Sequence, residues 1–190
     1  MPTFEEDARR LALGQAMRLG LKSKLHLNVL PQLWGESSDT IETTLDTAQR
    51  CNIDPSQLVL ELKHESTVIR PELLAERLKG LRNAGVKLSI DDFGSGHAGL
   101  ALLDHYQPEL ISLDKWLARG IERHGARQAI LRGLVQTCDD LGIDIIAKGV
   151  ETIDEFQWLF DEGIQLFQGY LFARPQIRAL PRPMLPALQT

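Results

Sequence analysis

Eight polar residues stand at or just beyond the far ends of short apolar runs: Asn28, Glu61, Asp91, Asp92, Asp114, Lys148, Glu151 and Gln168. Seven of them, all but Lys148, carry the carboxylate or carboxamide oxygens that hard cations such as Mg²⁺ accept; each alone reads as a turn or cap residue, and together they point to a metal-dependent site. The densest part is Ile90-Asp91-Asp92-Phe93-Gly94-Ser95-Gly96, where two adjacent acids end an apolar run and glycines let the backbone turn tightly. Successive side chains of a strand face opposite ways, but at a strand's end both carboxylates can reach one cleft. Taken alone, the Asp-Asp pair reads better as a solvated turn that caps the next helix. Asn28, Glu61 and Asp114, each closing another run, make an oxygen-rich constellation of it.

The elements that must position these residues follow from periodicity. Residues 4–20 place Leu11, Leu13, Met17 and Leu19 in a helical pattern stopped by Gly20. Strands are expected at Lys24–Leu30, Gln57–Leu62, Val86–Ile90, Leu110–Leu113, Ile143–Ala147 and Ile164–Phe167. Between them the pattern predicts helices from a Ser38-Asp39 cap to Arg50, over Pro71–Ala84, Ala98–His105, Gly125–Leu141 and Ile153–Glu162. Ile130, Leu134 and Leu141 are the expected apolar stripe of the longest one. Strands of this length alternating with helices make βα units on a parallel sheet, whose functional end is the carboxyl ends of the strands. About six units fit, whereas a closed eight-unit barrel takes about 250 residues. Pattern alone leaves open an α/β sheet or a barrel lacking elements.

Composition limits the company this chain can keep. With 190 residues, 43% hydrophobic and 25% charged, it has the makings of one ordinary globular domain. A net charge of −5 and a pI near 5.5 argue against a broad electrostatic grip on nucleic acid or an anionic membrane. Cys51 and Cys138 show no metal-type pairing and no disulfide framework, which suits a reducing cytoplasm. The N-terminus lacks the apolar core of a signal peptide, and no run approaches a membrane span. A cytoplasmic location is the expectation.

Longer motifs give the constellation a family. LHLNVLP around Asn28, LVLELKHES around Glu61, the block LSIDDFGSGHAGLALLDHYQPELISLD, then IIAKGVET and LFQGYLFARP resemble, in order and spacing, the successive motifs of the EAL domain. The wording AGL at 98–100 and RQAI at 127–130 is similar to EAL domains attached to blue-light (BLUF) sensors. The resemblance implies a modified (β/α)₈ TIM-like barrel of the EAL type, here incomplete at the N-terminus, with an EAL-like domain over 1–180 and a proline-rich tail over 181–190. It also implies hydrolysis of cyclic-di-GMP to pGpG with two Mg²⁺ or Mn²⁺ ions that activate water and neutralise the phosphate. By the same resemblance Asn28, Glu61, Asp91 and Asp92 match metal-ligand positions. Asp114 matches the acid after the family's lysine, Glu151 the acid that braces the site, and Gln168 the glutamine near the water.

Other matched positions have changed. No Glu-Ala-Leu tripeptide precedes Asn28, so the first strand and its metal-binding glutamate are expected to be missing. His64 stands at a glutamate position, and imidazole suits softer metals than Mg²⁺. Ser112 replaces the lysine of the D-x-x-K-x-D segment, and Lys115, three residues on, is expected to point elsewhere. Lys148 replaces a glutamate, putting an ammonium where a metal ligand belongs; it could pair with Asp91 or Asp92 in place of the ion. Four losses in one constellation leave little transition-state stabilisation, and no cofactor is expected unless activity remains, in which case Mg²⁺ or Mn²⁺ serves.

Three functions compete. The favoured one is a degenerate module that regulates by binding a protein partner or a second copy of itself, with Trp116 and Trp158 as candidate contacts that otherwise belong to a core. A sensor that binds cyclic-di-GMP without cleaving it is the alternative, and an active phosphodiesterase the third. Arg123, Arg127 and Arg132 read as a solvated helical face rather than an anion site.

Overall fold

Runs such as Leu58–Lys63 and Leu110–Leu113 are buried on both faces almost throughout, which suits strands covered from both sides, while glycines at 85, 142 and 163 separate three later strands from the helices that precede those strands. The computed structural model describes residues 4–29, 39–63, 78–95 and 99–186. Six strands lie in one sheet in chain order: β1 (Leu25–Val29), β2 (Leu58–Lys63), β3 (Lys87–Phe93), β4 (Leu110–Leu113), β5 (Asp144–Lys148) and β6 (Leu166–Gln168). β1 runs parallel to β2, β4 to β5, and β5 to β6. Helices connect them: α1 (Phe4–Arg18), α2 (Asp39–Arg50), α3, described over 78–83, α4 (Gly99–Tyr106), α5 (Lys115–Ala118), α6 (Gly125–Leu141) and α7 (Ile153–Asp161). The fold class is α/β, built from parallel βα units.

The chain packs as two compact units, Met1–Ser89 with Arg178–Leu180 and Ile90–Ile177 with Pro181–Thr190. In the first, α1 lies on β1 and α2, burying Leu13 and Ala16 with Leu27, Val29 and Ala48. The Arg9 guanidinium enters this core, donating to Thr44 Oγ1 at 3.3 Å and to the Asn28 carbonyl at 3.4 Å. In the second, Ile90, Phe93, Ile111, Leu113, Leu131 and Leu159 form one core. Phe156 closes its edge, meeting Phe167 edge-on at 4.8 Å between ring centres. Residues 174–186 form neither helix nor strand, with a turn at 177–178 where Arg178 has φ of +52°, and the Met184 amide donates to the Phe172 carbonyl at 2.8 Å.

Two apolar stripes differ from the sequence reading. Leu11 is 66% exposed and Met17 47%, whereas Arg9, Leu13 and Ala16 face inward. On α6, Ile130 (58%) and Leu141 (51%) are exposed, and the buried side is Leu131, Leu134 and Cys138. Both helices carry apolar residues on two faces, and packing, not periodicity, chooses between them. β3 also continues through the two acids to Phe93 instead of ending before them. Ser38, Leu30 and the first half of the Pro71–Ala84 helix lie outside the described residues.

Candidate functional site

In the second unit the carboxyl ends of β3, β5 and β6 and the segments that follow them surround a cavity of about 490 Å³. Its lining includes Asp92, Lys115, Arg119, Lys148, Glu151, Gln168 and Arg174. Two backbone features make it possible. Asp92 has φ of +51°, a conformation few side chains adopt, and this breaks the strand alternation at the point where the two acids must serve one region. Gly169 lets the turn after β6 press on the loop after β5, since a Cβ there would lie 1.9 Å from the Val150 carbonyl oxygen.

Asp91 and Lys148 form an ion pair at the cavity's base. The Lys148 ammonium donates to Asp91 Oδ1, with the two side chains only 14% and 7% exposed. The same oxygen accepts from the Asp92 amide at 2.9 Å, so the carboxylate is held from two directions. Asp92 is half-buried and lines the cavity itself. Lys148 stands in register with Gln168 on β6, whose side chain is exposed to the cavity.

The rim is a second set of polar links. Arg119 donates to Glu151 Oε1. The Arg119 guanidinium beside it holds the Glu151 carboxyl below the usual carboxylate range against the opposing effect of burial, and the charges of Arg174 and Lys115 add to the lowering. Beneath them the buried Glu155 carboxylate accepts from the amides of Gly120 (2.9 Å), Glu151 (2.9 Å) and Thr152 (3.2 Å), tying the end of α5 to the start of α7. Its partner in the capping box is Thr152, whose hydroxyl accepts from the Glu155 amide at 3.2 Å. Trp116 Nε1 donates to the Gly94 carbonyl at 3.2 Å, which fixes the turn after β3 against α5.

Several sequence expectations change here. Lys115 does line the cavity: β4 ends at Leu113, Asp114 caps α5 by accepting from the Trp116 amide at 2.9 Å, and the chain turns. A strand's alternation therefore no longer governs where residue 115 points. Asp114 is spent on that cap and is not part of the cavity lining. Ser112 is fully buried, and its hydroxyl finds no hydrogen-bond partner among the described residues. Arg119, Glu155, Tyr170 and Arg174 were not foreseen; for Glu155 the signal was the Thr-x-x-Glu spacing at 152–155. The basic face of α6 is internally used. Arg127 donates to the Trp116 and Arg119 carbonyls, and Arg132 Nε to Glu162 at 2.8 Å.

In the first unit, Asn28 and Glu61 are register partners on β1 and β2. Glu61 is buried and takes His26 Nδ1 at 2.8 Å, a neighbour that sequence reasoning did not single out. His64 lies outside the described residues. Cys51 and Cys138 are free thiols, and burial pushes Cys138 up to about 11.

A family model described as the EAL domain matches residues 3–175. The chain is 33% identical over 180 residues to the blue light- and temperature-regulated antirepressor BluF of Escherichia coli strain K12, covering 94% of this chain and 45% of that one. Among solved structures it is similar to Klebsiella pneumoniae BlrP1 in a manganese and cyclic-diGMP complex, with a TM-score of 0.86 and 38% identity over 92% of this chain and 45% of that chain. A standalone EAL protein from Vibrio cholerae O395, bound to c-di-GMP, gives a TM-score of 0.89 and 34% identity over 95% and 76% of the two chains. The chain thus spans under half the length of the antirepressor and of BlrP1.

Proposed function

Because the chain belongs to the EAL domain family and has the parallel α/β architecture of EAL barrels, we propose that it serves cyclic-di-GMP signalling as a regulatory binding module that does not hydrolyse the dinucleotide. The observation that carries this reading is the ion pair between Lys148 and Asp91. In the family's chemistry two divalent cations activate the water and neutralise the phosphate. A dication on Asp91 would have to displace an ammonium that already neutralises it in a nearly solvent-free position. The donors of the second unit therefore do not fit a metal pair, and no catalytic step is drawn through one. Asn28, Glu61, Asp91 and Asp92 are, on this reading, vestigial ligand positions, while Asp114 in its cap and Glu151 in its pair with Arg119 are vestigial site acids put to structural use.

The regulatory part of the reading is supported by the antirepressor relative and by the apolar surface of α6. Ile130 and Leu141 lie about three turns apart on one face, both exposed, a surface suited to another helix. Self-association through that face, or docking of a partner protein on it, is the mode of action that follows. The cationic cavity favours one further reading, binding of cyclic-di-GMP without cleavage, in which Lys148 stands in for metal charge.

The test is metal linkage. Thermal unfolding with and without millimolar Mn²⁺ should leave the wild-type melting temperature unchanged, whereas Lys148→Glu should be stabilised by the ion, since only a state that binds it gains. Stabilisation of the wild type by Mn²⁺ that Asp91→Asn abolishes would overturn the reading.

A further inference from the structure

Helix α1 of the first unit has two faces, and its own chain uses one of them. Arg9, Leu13 and Ala16 are buried on the side of β1 and α2. On the other side Phe4, Leu11 and Arg18 recur every seven residues, with Asp7 and Gly14 three residues after the first two. That is the spacing of a seam between two helices. Phe4 is 89% exposed and Leu11 66%, so the apolar members of the seam face solvent. Arg18 is exposed and joins no ion pair among the described residues. Gly14 weakens the middle of the helix with no reason inside the chain, since a Cβ there would meet no atom within 4 Å.

We propose that this face of α1 docks on the same face of a second copy of the chain, with the two helices antiparallel about a two-fold axis between Leu11 and Gly14. The order of the residues chooses that orientation. Antiparallel helices centred there set Leu11 of each copy over Gly14 of the other, where the missing side chain leaves it room. The same register puts Asp7 of each copy opposite Arg18 of the other, and the two-fold makes both ion pairs at once. Asp7 already accepts from Arg10 at 3.0 Å through one oxygen, and a carboxylate has a second to offer. A parallel pair would instead set Asp7 against Asp7 and Arg18 against Arg18. Two helices of 15 residues make less than the standard interface of about 1,600 Å², so the dimer is a weak one with a dissociation constant of about 10–100 µM. The proposal is independent of whether the chain hydrolyses cyclic-di-GMP, and by giving self-association to α1 it leaves the apolar face of α6 to a different protein.

Sedimentation velocity of the purified full chain from about 1 to about 300 µM tests this, a range that brackets the expected dissociation constant. The wild type should pass from monomer to dimer across it. Leu11→Asp should weaken the dimer about tenfold or more by burying a charge in the seam, while Ile130→Asp on α6 leaves it within about threefold. Asp7→Arg and Arg18→Asp should each weaken association, and the double variant that swaps the two charges should regain it, because only the antiparallel register sets residue 7 against residue 18. Leu11 and Arg18 are exposed, so these variants keep the fold, which circular dichroism checks. The proposal is overturned if the chain stays monomeric throughout, if Leu11→Asp dimerises as the wild type does, if Ile130→Asp abolishes the dimer, or if the charge swap associates no better than the single variants.

Discussion

Lys148 and Asp91 are nearly withdrawn from water, and a pair so placed behaves unlike an ion pair at the surface. Removing one member strands the other as a buried charge, whereas replacing both by neutral groups removes the problem. Lys148→Met is therefore expected to lower the unfolding free energy in urea by about 3 kcal/mol, and Asp91→Asn with Lys148→Met to recover most of it. A double variant as unstable as the single one would show that the pair is not what holds these side chains. Glu151 is a different case, since it is partly exposed and solvent screens its bond to Arg119. Its carboxyl is held below the ordinary range in the folded chain, so the unfolded chain takes up the proton more readily. The stabilisation is then fully present above the ordinary carboxylate range and is lost as pH falls through the depressed folded value. The melting temperatures of wild type and Glu151→Gln should accordingly differ at neutral pH and converge in acid, and a gap that persists in acid contradicts the assignment.

The turn after β6 and the loop after β5 are stapled through Val150, whose amide donates to the Gln168 carbonyl at 3.1 Å and whose carbonyl accepts from the Leu171 amide at 3.2 Å. Gly169 sits inside this staple without room for a methyl group, so Gly169→Ala must push two backbones apart. A loss of about 2 kcal/mol or more is expected in chemical denaturation. Much of this architecture was readable beforehand. Gly142 and the run before it bounded α6 at both ends, and the order of strands and helices gave parallel βα units. The stripe on α6 was misassigned because Ile130 and Leu131 are adjacent and equally apolar, and only contact with β5 and its neighbours decides which is buried. The acids at 91 and 92 were legible as a pair, but the positive φ that lets them share a region was not. Lys115 was missed because a count from Ser112 assumes a straight strand, and the Asp114 cap bends the chain between them.

For the chain as a whole, the charge that matters is local. The net charge is −5, yet the cavity of the second unit is cationic, and no helix among the described residues is long and apolar enough to cross a membrane. Exposed Ile130 and Leu141 on α6 give the surface an apolar face as well, so a basic cavity and an exposed apolar face coexist in one unit. An EAL chain with an ammonium on Asp91 is, as proposed above, one that binds and does not hydrolyse. The direct measurement is incubation of the purified chain with cyclic-di-GMP and excess Mn²⁺ or Mg²⁺, with separation of the mixture by chromatography. The account predicts no pGpG above the protein-free control, and pGpG accumulating in proportion to protein, and lost in Asp91→Asn, would contradict it.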